Sequence, residues 1–279
     1  MARLLETTMI VPNLHLLTLE APTIAREVKP GQFVIVRAEE DGERIPLSVS
    51  DWDVEAGTVT VVVMNVGSTT GRLAELAAGD ELPTLVGPLG NPTEIDTYGT
   101  VLCLAGCYGI GSIYPIAREL KARGNRVVIA LEARSSFLFF WEDRLRAVAD
   151  RLYFLTRDGS KGMRGHVGRL GEVLNAEQPV HRVIANGCTF LMKRGCDATR
   201  PLGIKTIVSL NPIMIDGTGM CGVCRVTVGN ATRFACVDGP DFDGHEVDWE
   251  ELLQRRKTYL PEEVVPLRTS SCERRHHEA

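Results

Sequence analysis

Cys221, Cys224 and Cys236 stand as C-x2-C-x11-C inside a glycine-rich stretch. Thiolates at such spacing bind soft metals or iron-sulfur clusters. A [2Fe-2S] cluster needs four ligands, and the plant-type arrangement places three of them as C-x4-C-x2-C with the fourth further on. Counting back from Cys221 by that rule lands on Asp216. An acid stands where a thiolate is expected, so Asp216 is read either as an oxygen ligand to one iron or as the residue that shapes an Asp-Gly turn. Gly217, Gly219 and Gly222 let the backbone wrap a cluster closely and aim amides at its sulfurs. The competing metal is zinc, with His245 or Asp216 completing the set. Zinc usually shows two close pairs of ligands, whereas this stretch has one pair and a single cysteine. The blandest alternative is three inert buried thiols.

A second group of residues suits phosphates. Arg44-Ile45-Pro46-Leu47-Ser48 closes an apparent strand, and Val66-Gly67-Ser68-Thr69-Thr70-Gly71 precedes a short helix, with Val63 at the end of the strand before it. A guanidinium can hold a pyrophosphate bidentately, and a Gly-Ser-Thr-Thr turn at a helix N-terminus supplies amide and hydroxyl donors. Further on, Gly106-Cys107-Tyr108-Gly109-Ile110-Gly111 runs from strand to helix. Its glycines fall as G-x-x-G-x-G, not as the G-x-G-x-x-G fingerprint, yet they too let a dinucleotide's phosphates approach a helix N-terminus. The next strand ends Leu131-Glu132-Ala133-Arg134-Ser135-Ser136, where a ribose 2′ group would lie. Glu132 as an acceptor favours NAD, and Arg134 with the serines favours NADP; both remain open.

The elements that must position these residues change character along the chain. The first hundred residues alternate in short runs at 14–19, 33–37, 58–63 and 81–86, broken by turn signals, and predict an antiparallel barrel with one helix near 70–77. From Gly99 the rhythm becomes strand, helix, strand: strands at 100–105, 126–132, 151–156 and 182–185, helices at 112–122, 141–149 and 167–175. That alternation predicts a doubly wound parallel sheet, with a ligand at the C-terminal ends of its strands. Residues after 210 form a cysteine module with short strands at 225–228 and 232–235, too small to bury a core alone, so a metal is expected to organise it. The expected division is therefore 1–97 for the barrel, 98–210 for a nucleotide-binding α/β domain, 211–256 for the iron-sulfur module and 257–279 for a polar tail.

Composition narrows the function classes. The net charge of −5 is mixed along the chain, which argues against a nucleic-acid partner. Apolar runs are strand-sized, well short of the roughly 20 residues of a membrane span, and the first residues turn polar at once. The expected compartment is the cytoplasm. There the eight cysteines, including the scattered Cys103, Cys107, Cys188 and Cys196 and the tail residue Cys272, are expected to serve metal or redox chemistry, not disulfides.

These residues resemble a known group, the electron-transfer subunits related to ferredoxin-NADP reductase, over nearly the whole chain. Arg44-x-Pro46-Leu47-Ser48 looks like that group's flavin motif, Gly67 to Thr70 like its pyrophosphate turn, and Gly87-Pro88-Leu89-Gly90 like the loop closing the flavin domain. Within the group, Asp216-Gly217-Thr218-Gly219-Met220-Cys221-Gly222-x-Cys224 resembles the small subunits of NADH-dependent ferredoxin:NADP oxidoreductases, also called sulfide dehydrogenase subunit beta. There an Asp takes the first cluster position. The resemblance implies FAD, a [2Fe-2S] cluster on Asp216, Cys221, Cys224 and Cys236, and NAD(H), with NADP(H) not excluded. It also implies docking on a larger flavin and iron-sulfur subunit similar to the glutamate synthase small subunit, which would handle NADP(H) and ferredoxin by electron bifurcation. Electron-transfer subunits of dihydroorotate dehydrogenase or of a cytosolic hydrogenase are the alternative, and a zinc-organised nucleotide-binding module is a remote one. Two stretches depart from the pattern: Asn186-Gly187-Cys188 replaces a Gly-Pro pair, and Thr156-Arg157-Asp158-Gly159 replaces Thr-Asp-Asp-Gly. Cys188 could face the flavin or pack in the sheet, and Arg157 adds a cation near the nucleotide. Moving hydride to a flavin requires no side-chain acid or base, so no separate catalytic residue is expected.

Overall fold

The computed structural model describes residues 2–258 and 260. Seven strands build the first sheet: β1 (Ala2–Val11), β2 (Leu14–Glu20), β3 (Phe33–Arg37), β4 (Arg44–Asp53), β5 (Thr58–Met64), β6 (Glu81–Leu82) and β7 (Thr84–Leu89). They pair antiparallel in the order β6-β1-β2-β5-β4-β3-β7, a nearly closed barrel. Period-two alternation explains its core. Leu17 and Leu19 on β2 lie opposite Val61 and Val59 on β5, all buried. Helix α1 (Pro22–Glu27) follows β2, and α2 (Ser68–Glu75) follows β5. The run predicted at 81–86 is split at Pro83, which has no N–H to give a ladder.

The second sheet contains β8 (Thr100–Gly106), β9 (Arg126–Ala133), β10 (Arg151–Thr156), β11 (Met163–Arg164), β12 (Arg182–Asn186) and β13 (Lys205–Ser209), all parallel. β8 is buried along its whole length, as a strand covered on both faces must be. Helices α3 (Gly109–Ala122), α4 (Glu142–Val148), α5 (Leu170–Ala176) and α6 (Thr189–Thr199) connect these strands. Ile113, Ile116, Ala117 and Leu120 form the buried face of α3, as their spacing predicts. The order is β11-β10-β9-β8-β12-β13, so the chain runs outward from β8 and then returns to β8's other side. The loops after β8 and β12 therefore diverge and leave a crevice, the usual ligand position in such sheets.

The cysteine stretch forms the hairpin β14 (Arg225–Val228) and β15 (Ala231–Phe234), the edge strand β16 (Asp241–Asp243) and α7 (Trp249–Arg255). β16 extends the second sheet antiparallel to β13. Cys224, Val226, Ala235, Cys236, Phe242 and Trp249 pack in one core with Leu102 and Leu104 of β8 and Phe33 and Ile35 of the barrel. A module too small for its own core thus borrows one from both neighbours. Among the described residues no helix is long and apolar enough to cross a membrane. Cys272 and most of the predicted tail lie outside the described residues.

Candidate functional site

The cysteine loop presents its four candidate ligands as two pairs. Cys224 and Cys236 are buried, with their sulfurs 3.2 Å apart. Cys221 is exposed and its Sγ donates to Asp216 Oδ1 at 3.1 Å. Asp216 performs the turn-shaping role with its other oxygen: Oδ2 accepts from Thr218 Oγ1 at 2.9 Å, Met220 N at 3.0 Å and Cys221 N at 3.3 Å. Gly217, Gly219 and Gly222 all have positive φ, which lets the loop curl without a Cβ penalty. At Gly217 a Cβ would also sit 2.8 Å from Leu89 Cδ1, so the loop is pressed onto the barrel.

The charges of the free loop follow from this geometry. The hydrogen bond from the Cys221 thiol, with those from Thr218 and Met220, holds the Asp216 carboxyl down to about 2 against the opposing effect of burial. Burial, and then the neighbouring Cys224, pushes the Cys236 thiol up to about 12. A metal seated there would displace that proton, since thiolates are the ligands.

The donor set suits a dinuclear cluster. Each iron of a [2Fe-2S] centre takes two protein ligands, and the loop supplies two separate pairs. Among the described residues no three His, Cys, Asp or Glu side chains converge on a point that could hold one metal ion, as tetrahedral zinc would require. His245, read as a possible zinc ligand, instead shares a 3.0 Å hydrogen bond between Nε2 and Thr199 Oγ1.

At the switch point the backbone does most of the work. Gly106 closes β8, Gly109 and Gly111 open α3, and Gly187, with φ of 151°, follows β12. A Cβ on Gly109 would lie 2.2 Å from the Asn186 carbonyl oxygen, and one on Gly111 would lie 2.7 Å from Ser50 Oγ of the barrel. Three segments therefore meet only because these residues lack side chains. Cys188 caps α6 and is half-buried. Cys107, with φ of 53°, has its thiol pushed up to about 11 by burial, then by Cys188 and Glu132, against Arg157.

Two of the residues expected on the 2′ side, Glu132 and Asp158, already have side-chain partners. Glu132 is buried and its Oε1 accepts from Arg157 Nε at 3.1 Å, so the cation that departs from the family pattern is spent on the predicted ribose acceptor. Asp158 Oδ1 accepts from Ser160 N at 2.9 Å and Ser160 Oγ at 2.6 Å, which holds its carboxyl down to about 2. Arg134 is exposed and has no carboxylate partner among the described residues.

Three residues to which the sequence reading gave no role complete the crevice. Tyr108 Oη donates to the Gly187 carbonyl at 3.1 Å, and Asn211 Nδ2 donates to Tyr108 Oη and, at 3.3 Å, to the same carbonyl. Arg256 Nη1 donates to Asn211 Oδ1 at 2.8 Å, which ties α7 to the crevice. Asn186 is buried, with Nδ2 donating to Ser112 Oγ at 3.1 Å and Oδ1 without a partner among the described residues. That orphaned acceptor, at the end of β12, fits a site that a bound group completes.

On the barrel the two phosphate signals come together. Arg44, Pro46, Leu47 and Ser48 lie on β4, with Leu47 buried and Arg44 and Ser48 exposed, and Val63 is buried on β5. Thr69 Oγ1 donates to Glu43 Oε2 at 3.3 Å, which brings the start of α2 beside Arg44. Thr70 Oγ1 accepts from Gly67 N at 2.9 Å and fixes the turn, while the remaining first-turn amides of α2 stay available, as at any helix start. A cleft of about 630 Å³ between barrel and α3, lined by Lys29, Pro30, Trp52, Thr93, Glu119 and Arg123, holds none of the predicted residues.

Barrel, doubly wound sheet and cysteine module, in that order, define an NAD(P)H-dependent flavin and iron-sulfur oxidoreductase subunit of the ferredoxin-NADP reductase type. Residues 211–248 match the family model for the iron-sulfur cluster binding domain of dihydroorotate dehydrogenase B. A Thermotoga maritima protein, a homolog of the dihydroorotate dehydrogenase B (NAD(+)) electron transfer subunit, is 46% identical over 88% of this chain and 87% of its own. The Enterococcus faecalis electron transfer subunit of that enzyme is 29% identical over 85% of this chain and 94% of its own. A solved chain from the NADH-dependent reduced ferredoxin-NADP oxidoreductase, studied for flavin-based electron bifurcation, superposes with a TM-score of 0.92 at 41% identity, covering 96% of this chain and 97% of that one. The chain belongs to the family of dihydroorotate dehydrogenase B-type electron transfer subunits. Such a subunit works in a complex with a larger partner.

Proposed function

We propose that this chain is the NADH-facing subunit of a bifurcating oxidoreductase whose larger flavin and iron-sulfur subunit, of the glutamate synthase small-subunit type, handles NADP(H) and ferredoxin. What supports the reading is the whole-chain likeness, at 41% identity, to a chain of the NADH-dependent reduced ferredoxin-NADP oxidoreductase. A bound flavin accepts hydride and releases electrons singly, and a [2Fe-2S] cluster carries one electron at a time. The chain's part is to bind and orient. Arg44 and the Gly67 to Thr70 turn would hold a flavin pyrophosphate, with Pro46, Leu47, Ser48 and Val63 along the adjoining strands. Gly106, Gly109, Gly111 and Gly187 would admit the nicotinamide nucleotide, with Glu132, Arg134 and Asp158 on its 2′ side and Cys188 at the mouth. Asp216 and Cys221 would hold one iron, Cys224 and Cys236 the other. The apolar core shared by all three parts keeps these groups in one rigid frame.

A second reading has a specific observation behind it: the 46% identical relative is a homolog of a dihydroorotate dehydrogenase B subunit. The two are separated by the partner. Copurification is expected to yield a larger chain, and the complex is expected to reduce ferredoxin and NAD+ at the expense of NADPH. A partner that oxidises dihydroorotate would replace the first reading with the second. A flavin not bleached by NADH under anaerobic conditions would remove both.

A further inference from the structure

We infer that Asp51 is a positioning residue for hydride transfer, a carboxylate on the strand of the flavin motif that grips two guanidiniums on helices of the nucleotide-binding sheet. The inference rests on the functional reading above. β4 carries Arg44 to Ser48, and Asp51 lies three residues further along the same strand. α3 begins at the nucleotide loop, and Arg118 lies on it about two and a half turns on. Arg118 Nη1 donates to Asp51 Oδ1 at 2.9 Å, and Arg144 Nη2 of α4 donates to Asp51 Oδ2.

Both guanidiniums also lie over aromatic rings. Arg118 stands 4.8 Å from the centre of Trp52 and 5.6 Å from that of Tyr114. Arg144 stands 4.4 Å from each of Tyr114 and Trp141, which meet edge to face. A lone exposed ion pair contributes little. Here one carboxylate, 20% exposed, serves two cations from different helices, so its loss leaves two like charges side by side.

A second contact joins the same two elements. At the start of α3 the close approach of Gly111 to Ser50 and Val62 presses helix on strand, and at its far end Asp51 clasps Arg118. Two points along one helix set both its distance from β4 and its rotation. The flavin motif hangs from β4 and the nucleotide loop from α3, so this clasp sets the relation between the two bound groups. Hydride transfer needs reacting atoms about 3–3.5 Å apart, and a displacement of about 1 Å can cost on the order of a hundredfold.

The test uses the full chain with its cofactors and measures anaerobic flavin bleaching by NADH in stopped flow, NADH affinity, and the flavin difference spectrum with 1,4,5,6-tetrahydro-NAD. That analogue binds without giving hydride, so its spectrum reports stacking alone. Asp51→Asn keeps the shape and removes the charge. Its bleaching rate at saturating NADH is expected to fall roughly tenfold to a hundredfold with NADH affinity unchanged, and the analogue's spectrum is expected to weaken. Asp51→Glu should recover part of both. On an Arg118→Ala/Arg144→Ala background, Asp51→Asn should add nothing, because all three act through one clasp. A lower melting temperature with an unchanged bleaching rate and spectrum would overturn the inference. A parent protein that NADH does not bleach would overturn the functional reading, and this inference with it.

Discussion

The cluster loop and the switch-point crevice solve the same problem, holding a ligand, with opposite materials. In the loop the proposed ligands are four side chains, Asp216, Cys221, Cys224 and Cys236, within one short stretch. In the crevice it sits in backbone, where Gly106, Gly109, Gly111 and Gly187 bring three distant segments into contact. A side-chain site fails when a ligand atom is replaced. A backbone site fails when an atom is added.

The largest effect is expected at the loop. Cys236→Ser removes a buried sulfur and leaves Cys224 without its partner, so iron and the cluster's visible absorption should be lost while NADH still bleaches the flavin. Full iron content in that variant would break the contrast on the loop's side. Next comes Gly109→Ala, whose Cβ has no room beside the Asn186 carbonyl. Overpacking of about 1–3 kcal/mol should weaken NADH binding roughly tenfold or more and leave iron content intact. Gly171→Ala on α5, with nothing within 4 Å of the added atom, is the control and should be neutral or slightly stabilising.

A smaller change sharpens the loop's division of labour. Asp216→Ala should lower iron content in part and shift the cluster potential, measured by iron analysis and redox titration. Values equal to the parent's would leave Asp216 as a turn residue only. The smallest effect concerns neither site but the joint between them. Asp241 on β16 accepts from Thr93 Oγ1 at 2.6 Å, and burial raises its carboxyl above the ordinary range. The folded chain therefore keeps a proton that the unfolded chain loses above about pH 4, and stability falls as pH rises through that window. Asp241→Asn cannot ionise, so its melting temperature should match the parent's near pH 4 and exceed it by roughly 2–4 °C at neutral pH. A constant difference across pH would show that Asp241 ionises as freely folded as unfolded.

Legibility followed the same contrast. Most barrel strands, the core of the alternating sheet and the cysteine spacing could be read, because each is set by local periodicity or by ligand count, whereas β1 and β11 were not among the predicted runs. Helix α3 starts at Gly109, earlier than the predicted 112, since glycines hide a helix start from apolar patterning. α6, β13 and α7 were not predicted, although α7 opens on an Asp248 cap followed by two acids, a start signal legible in the sequence. Tyr108, Asn211 and Arg256 escaped notice because their partners are each other, far apart along the chain.

From sequence alone came the order of the three parts, the cysteine set with its acidic fourth member, and the glycine loops, since residue type and spacing dictate those directly. Only the tertiary structure decided the rest. It set the proposed ligands as two pairs, joined Arg157 to Glu132, turned His245 away from the cysteines, and clasped β4 to α3 through Asp51. Those outcomes depend on how the chain brings together residues that lie up to 67 positions apart, and such pairings leave no trace in local periodicity.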